Sequence, residues 1–120
     1  MKIAITTAGK TLDSPVDPRF GRAVGFIIYN SDTQEHKYID NQQNMNAPQG
    51  AGIQAAKAVV DAGAEALITG HCGPKAFMAL KSAGIKVFTG ADGTVQEVIE
   101  KFNSGTLTET QGADVSGHWF

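Results

Sequence analysis

Apolar positions in this chain change their period as the sequence advances. Near the start they come in short β-branched runs: Ile3 to Thr7, then Gly25 to Asn30 (Gly-Phe-Ile-Ile-Tyr-Asn), then the alternating stretch His36 to Asp40. Such runs, bounded by Gly, Asp, Asn and Ser, predict strands, and Ser31-Asp32-Thr33 supplies turn chemistry for a hairpin between the second and third. From Gly50 the repeat lengthens. Ile53, Ala56 and Val59 or Val60 fall at helical spacing up to Gly63, and Val95, Val98, Ile99 and Phe102 fall at i, i+3, i+4 and i+7 before Asn103-Ser104-Gly105. Between these helices lie a buried-type strand, Ala66 to Thr69, a helix from Pro74 to Ala83 with Phe77 and Leu80 inward, and a strand from Ile85 to Thr89. Residues 10–24 and 41–49 read as loops, the first by its Pro, Asp and Gly content, the second by its Asn and Gln content closed by Pro48. Residues 106–120 lack periodicity and read as a C-terminal tail.

The predicted order is β-β-β-α-β-α-β-α, in one domain spanning 1–120. Three leading strands can pair antiparallel, whereas each later β-α-β crossover demands parallel neighbours with helices on the sheet faces. The fold class is therefore α/β, a mixed sheet of about five strands. Ligands of such sheets sit beyond the carboxyl ends of the parallel strands. That rule brings three loops to one edge: Ala8 to Ala23, Gly70 to Pro74, and Gly90 to Gly93.

Composition narrows the ligand. The formal net charge of −2 creates no overall field for nucleic acid or acidic lipid, so an anionic ligand has to be held by local cations. One cysteine cannot form an internal disulfide, which fits a reducing cytoplasm. The start Met-Lys-Ile-Ala-Ile-Thr-Thr reaches Gly9 too soon for a signal-peptide core, and no apolar run is long enough to insert in a membrane. The expectation is a soluble, cytoplasmic domain.

Chemistry concentrates in Thr69-Gly70-His71-Cys72-Gly73-Pro74-Lys75, where a strand runs into a helix opened by Pro74. The helix start offers free N–H groups and partial positive charge, which suits an anion. Cys72 and His71 are soft-metal ligand types, and a helix N-terminus lowers a thiol pKa. A lone cysteine is also commonly a small buried hydrophobe, and both readings stay open. A nucleophilic Cys72 is the weaker alternative, since no C-x-x-C is present and no arginine follows at a phosphatase-like distance. Asp17-Pro18-Arg19-Phe20-Gly21-Arg22 is the second cluster. Its two guanidinium groups can grip an oxyanion or sulfido anion, or Asp17 can pair with an arginine to order the loop.

Other signals carry less. Gly50-Ala51-Gly52-Ile53-Gln54-Ala55 matches G-x-G-x-x-A, but no apolar strand precedes it and no acid follows about 20 positions on, so the glycines are read as a tight helix start. His36 and Lys37 lie in the hairpin and are expected in solvent, and His118-Trp119 can reach a ligand or partner, or dock the tail. No paired carboxylates suit general acid–base work, which argues against a hydrolase.

Several of these segments together resemble a known family. Val16-Asp17-Pro18-Arg19-Phe20-Gly21-Arg22-Ala23, Gly50-Ala51-Gly52-Ile53-Gln54-Ala55-Ala56, Gly73-Pro74-Lys75-Ala76-Phe77 and Gly84-Ile85-Lys86-Val87-Phe88 are similar to the nitrogenase iron–molybdenum cofactor-binding family. The ending Gly117-His118-Trp119 extends the likeness to small members found in anaerobic bacteria. The resemblance implies a ribonuclease-H-like fold and a carrier of metal–sulfur clusters rather than an enzyme. The implied cargo is a non-covalently bound molybdenum–copper sulfide anion, or alternatively iron–molybdenum cofactor or its precursor. A MinD- or Mrp-like ATPase is the implied partner, and a metal-free module that regulates such an ATPase is the alternative function. The residues assigned to the cluster are Arg19, Arg22, Gly70, His71, Cys72, Gly73 and Lys75, with Cys72 and His71 as the candidates for direct metal contact.

Overall fold

The structure, a computed structural model, describes residues 1–45 and 50–111. Its elements run β1 (Lys2–Thr7), β2 (Gly25–Asn30), β3 (His36–Asp40), α1 (Gln42–Met45), α2 (Ala51–Asp61), β4 (Ala66–Ile68), α3 (Pro74–Ser82), β5 (Lys86–Phe88) and α4 (Val95–Asn103). The expected order holds, with one correction: the stretch 41–49 is not wholly loop, because Gln42–Met45 winds into a single helical turn. That turn starts where Asp40 Oδ1 accepts the Gln42 N–H at 2.8 Å and Asn44 N–H returns to Asn41 O at 3.0 Å. Side-chain and backbone bonds of this local kind set it, so no apolar period announces it. The His118-Trp119 pair lies outside the described residues.

The strands form one sheet in the order β3-β2-β1-β4-β5, antiparallel across β3-β2-β1 and parallel across β1-β4-β5. Period-2 alternation then sorts side chains onto two faces. Ala4, Phe26, Ile28, Leu67 and Val87 point to one face, where Ala55, Ala56, Val59, Phe77 and Leu80 of α2 and α3 bury them. Ile3, Ile5, Ile27, Ala66 and Ile68 point to the other, covered by Val95, Val98 and Ile99 of α4 and by Val16. Both faces of β1 and β4 are thus dry, which is why these strands read as continuous apolar runs. The outer edge of β5 is covered by the chain beyond α4, where Thr110 N–H donates to Val87 O at 2.7 Å. His36 and Lys37 on β3 are exposed, as expected.

Parallel β1 and β4 end side by side, so the loops that follow them emerge together. This delivers the predicted three-loop edge.

Candidate functional site

The loop after β1 is stitched to its neighbours by backbone bonds. Asp17 N–H donates to Thr6 O at 3.0 Å, His71 N–H to Pro18 O at 2.7 Å and Phe20 N–H to His71 O at 3.2 Å. These bonds set Arg19 beside His71 in a short parallel bridge. On the far side, Gly90 N–H donates to Gly70 O at 2.8 Å and Val16 N–H to Gly93 O at 2.9 Å, which closes the three loops into one platform. Gly70 permits the contact, because a Cβ there would lie 2.7 Å from the Pro18 Cα and carbonyl oxygen. Gly21 does the same at α2, where a Cβ would lie 2.8 Å from the Gly52 nitrogen. Phe20 is fully buried between these glycine contacts and stacks at a tilt on Phe26, with ring centres 5.7 Å apart. In the G-x-G, Gly52 takes the close approach of Gly21, and Gly50 is a left-handed N-cap at φ 77° with open space around it.

Helix starts near this edge differ in one respect that matters for an anion. At α4 every early N–H is used: Val95 N–H donates to Ser14 O, Gln96 N–H to Leu12 O, and Glu97 N–H to Thr94 Oγ1. Glu97 returns its carboxylate to the Thr94 N–H at 2.9 Å, completing a capping box. That helix start is closed. At α3, Gly73 has no side chain to cap with, Pro74 carries no N–H, and the first turn holds no acid. Among the described residues, neither Lys75 N–H nor Ala76 N–H has a hydrogen-bond partner, the first helical bond being Phe77 N–H to Gly73 O at 2.9 Å. The N-terminus of α3 thus keeps its donors and its partial positive charge.

The residues singled out in the sequence differ in exposure, and Arg22 follows Gly21, which packs on the start of α2, outside the Arg19–His71 bridge. Arg19 and Lys75 are exposed, Arg22 and His71 are half-buried, and Gly70 and Gly73 are buried backbone positions. Cys72 is 0% exposed, in the same apolar cluster as Phe20, Ala55 and Phe77, and its Sγ lies 3.7 Å from Gly73 O. Arg22, His71 and Cys72 also have partners within the protein. Asp17 is buried and its Oδ1 accepts the Arg19 N–H at 3.1 Å, so the carboxylate orders the loop through the Arg19 backbone. Among the described residues, no three His, Cys, Asp or Glu side chains converge as ligands to one metal ion. What the edge offers is cations and N–H donors, a set matched to a polyanion rather than to a bare cation.

Comparison with known proteins narrows the choice. The family described as dinitrogenase iron-molybdenum cofactor matches residues 1–105. The chain belongs to that family. Among solved structures, this family member is similar to the apo form of the orange protein from Desulfovibrio gigas, with 42% identity, a TM-score of 0.93, and 95% and 96% of the two chains covered. A Thermotoga protein solved by NMR matches with 37% identity and a TM-score of 0.81 over 95% and 98% of the chains. An uncharacterized protein of Methanocaldococcus jannaschii is 31% identical over 110 residues, 89% of each chain.

Two contributors to the site of this family member escape a reading of the sequence. Thr6 and Thr69, at the ends of β1 and β4, are fully buried and bonded to each other, and Thr6 also donates to the Asp17 carbonyl. In sequence they look like ordinary β-branched strand residues. The other is the closed start of α4, which sets it apart from the uncapped, acid-free starts of α3 and α2. Only the Thr94-x-x-Glu97 spacing hinted at it.

Proposed function

We propose that this protein is a non-catalytic carrier of an anionic metal–sulfur cluster, with a molybdenum–copper sulfide as the cargo and iron–molybdenum cofactor or its precursor as the alternative. The observation that carries the reading is the open start of α3 beside Arg19, set against the fully bonded start of α4. Arg19 and Lys75 would supply charge, and the Lys75 and Ala76 N–H groups would supply hydrogen bonds to sulfido or oxo atoms. Gly73 would let the cluster approach the backbone, Gly70 would shape the site by its packing on Pro18, and Arg22 and His71 would stand farther out. Cys72 is enclosed in the core, so the reading assigns it to packing rather than to metal ligation. When bound, the cluster supplies the redox-active and light-absorbing metal centre, while the chain holds it and sets its orientation.

Membership of the family and likeness to the orange protein support cluster binding. The sheet order, with a β3-β2-β1 meander extended by parallel β4 and β5, supports the ribonuclease-H-like description. Among the described residues no helix is long and apolar enough to cross a membrane. We place the carrier in the cytoplasm as one unit over residues 1–120, serving a MinD- or Mrp-like ATPase, on the family resemblance.

The test is anaerobic loading with tetrathiomolybdate and copper(I), read by elemental analysis and the visible spectrum of the gel-filtered protein. Stoichiometric molybdenum and copper with charge-transfer bands are expected. Arg19→Ala with Lys75→Ala should weaken uptake at least tenfold while leaving the fold intact, because both side chains are exposed. A protein that refuses the anion sinks the reading.

A further inference from the structure

Behind the cationic rim lies a buried polar chain that the proposed binding mode does not touch. Thr6 Oγ1 lies 2.7 Å from Asp17 O and 3.0 Å from Thr69 Oγ1, and both threonines are fully buried. A hydroxyl has one proton to give. The Asp17 carbonyl can only accept, so Thr6 must donate to it. Thr6 Oγ1 is also the donor toward Thr69 Oγ1, so its single proton is divided between two acceptors and Thr6 is the hub of the chain. Asp17 is held again by its N–H to Thr6 O and by its Oδ1, which takes the Arg19 N–H. One step farther, Pro18 O and His71 O carry the bonds that set Arg19 against His71.

We infer that Thr69, Thr6 and Asp17 form a positioning lock that holds Arg19 and His71 in place for the ligand. This rests on the proposed cluster-binding edge for its consequence, though not for its existence. None of the three needs to touch a ligand. Their part is to fix where the loop runs, so that the Arg19 cation and the α3 start face one point.

Thr6 as the shared donor predicts an asymmetry. Thr6→Val leaves two buried groups unpaired, the Asp17 carbonyl and the Thr69 hydroxyl. Thr69→Val removes only one of the two acceptors, and Thr6 still donates to Asp17. Leaving a buried group unpaired costs far more than replacing both partners by apolar groups. The double variant should therefore be less perturbed than Thr6→Val alone, and Thr6→Ser should behave as wild type.

Two readouts separate the lock from the binding reading. The first is amide hydrogen exchange of Phe20 and His71, compared with Val98 and Ile99 in the core of α4. Thr6→Val should speed exchange at Phe20 and His71 by about tenfold and leave α4 unchanged, with Thr69→Val smaller and Thr6→Ser nil. The second is the affinity for tetrathiomolybdate with copper(I), which should fall by about tenfold in Thr6→Val and recover in Thr6→Ser. Unchanged exchange at Phe20 and His71 overturns the lock, as does exchange that rises equally in α4. If Thr6→Val does not fold, Thr69→Val decides by the same local comparison. Failure of the wild-type protein to bind the anion overturns the carrier reading alone, because the exchange result still decides the lock. Wild-type binding with local exchange raised in Thr6→Val but affinity unmoved overturns the positioning role.

Discussion

Cys72 shows how one residue's surroundings decide between chemistries that its identity leaves open. A thiol at a helix start is expected to be acidic and reactive, but only when solvent or ligand can reach it. Here it is fully buried in the apolar cluster under α2 and α3. Cys72→Ala should therefore cost about 1 kcal/mol through lost packing and leave cluster affinity unchanged, as measured by urea unfolding and by titration with tetrathiomolybdate and copper(I). Loss of binding in that variant would return metal ligation to the thiol. Gly70 gives the complementary case, a position defined by what it lacks. A methyl group there meets the Pro18 backbone at 2.7 Å, and backbone cannot swing aside as a side chain would. Gly70→Ala is expected to destabilise the protein by about 1–3 kcal/mol and to push residues 18–20 away from β4. Denaturant unfolding, with the Phe20 and His71 amide shifts alongside, checks both parts.

Among the elements, α4 is the helix most completely determined by its own sequence. Its apolar positions run at i, i+3, i+4 and i+7, and Thr94 with Glu97 closes its start from both directions. Thr94→Ala should cost about 1 kcal/mol, seen as a lower urea midpoint. The bond from the Thr94 N–H, helped by the Thr94 side chain and by Lys101, holds the Glu97 carboxyl below the ordinary value of 4.5. A carboxyl lowered in the folded state adds stability above its unfolded pKa and loses it as pH falls through the folded value. Glu97→Gln should thus differ from wild type near neutral pH and converge with it in acid below that range, measured by unfolding midpoints across pH. Elements of this kind are legible because period and caps are local. The β1, β2, β4 and β5 runs were legible for the same reason, each being apolar on both faces or bounded by turns. The turn α1 was not, since three polar residues and one methionine carry no period and Asp40 nucleates it from outside. At the site, the glycine and arginine loops stood out by composition. Thr6 and Thr69 did not, because their partners lie 11 and 63 positions away in sequence and only the sheet brings them together.

At the scale of the molecule, charge and topology place the cations where the net charge does not. The chain carries −2 overall, yet the loops after β1 and β4 carry Arg19, Arg22, His71 and Lys75, with Arg19 bridged to His71 just before the α3 start. Parallel pairing of β1 with β4 is what brings those loops together, and the antiparallel hairpin of β2 and β3 adds width at the other side. A polyanion at this edge is held by two contributions that respond differently to salt. Exposed Arg19 and Lys75 are screened over a Debye length of about 10 Å at 0.1 M salt and about 3 Å at 1 M. Hydrogen bonds from the α3 backbone at contact distance are screened far less. The affinity for tetrathiomolybdate with copper(I) should therefore fall steadily from about 0.05 M to about 0.5 M salt and then level off at a residual value. Arg19→Ala with Lys75→Ala should flatten the slope and leave the residual binding, because the Lys75 and Ala76 N–H groups are backbone and survive both substitutions. A wild-type affinity that ignores salt would remove Arg19 and Lys75 from the attachment and leave it to the α3 backbone donors or to direct metal ligation.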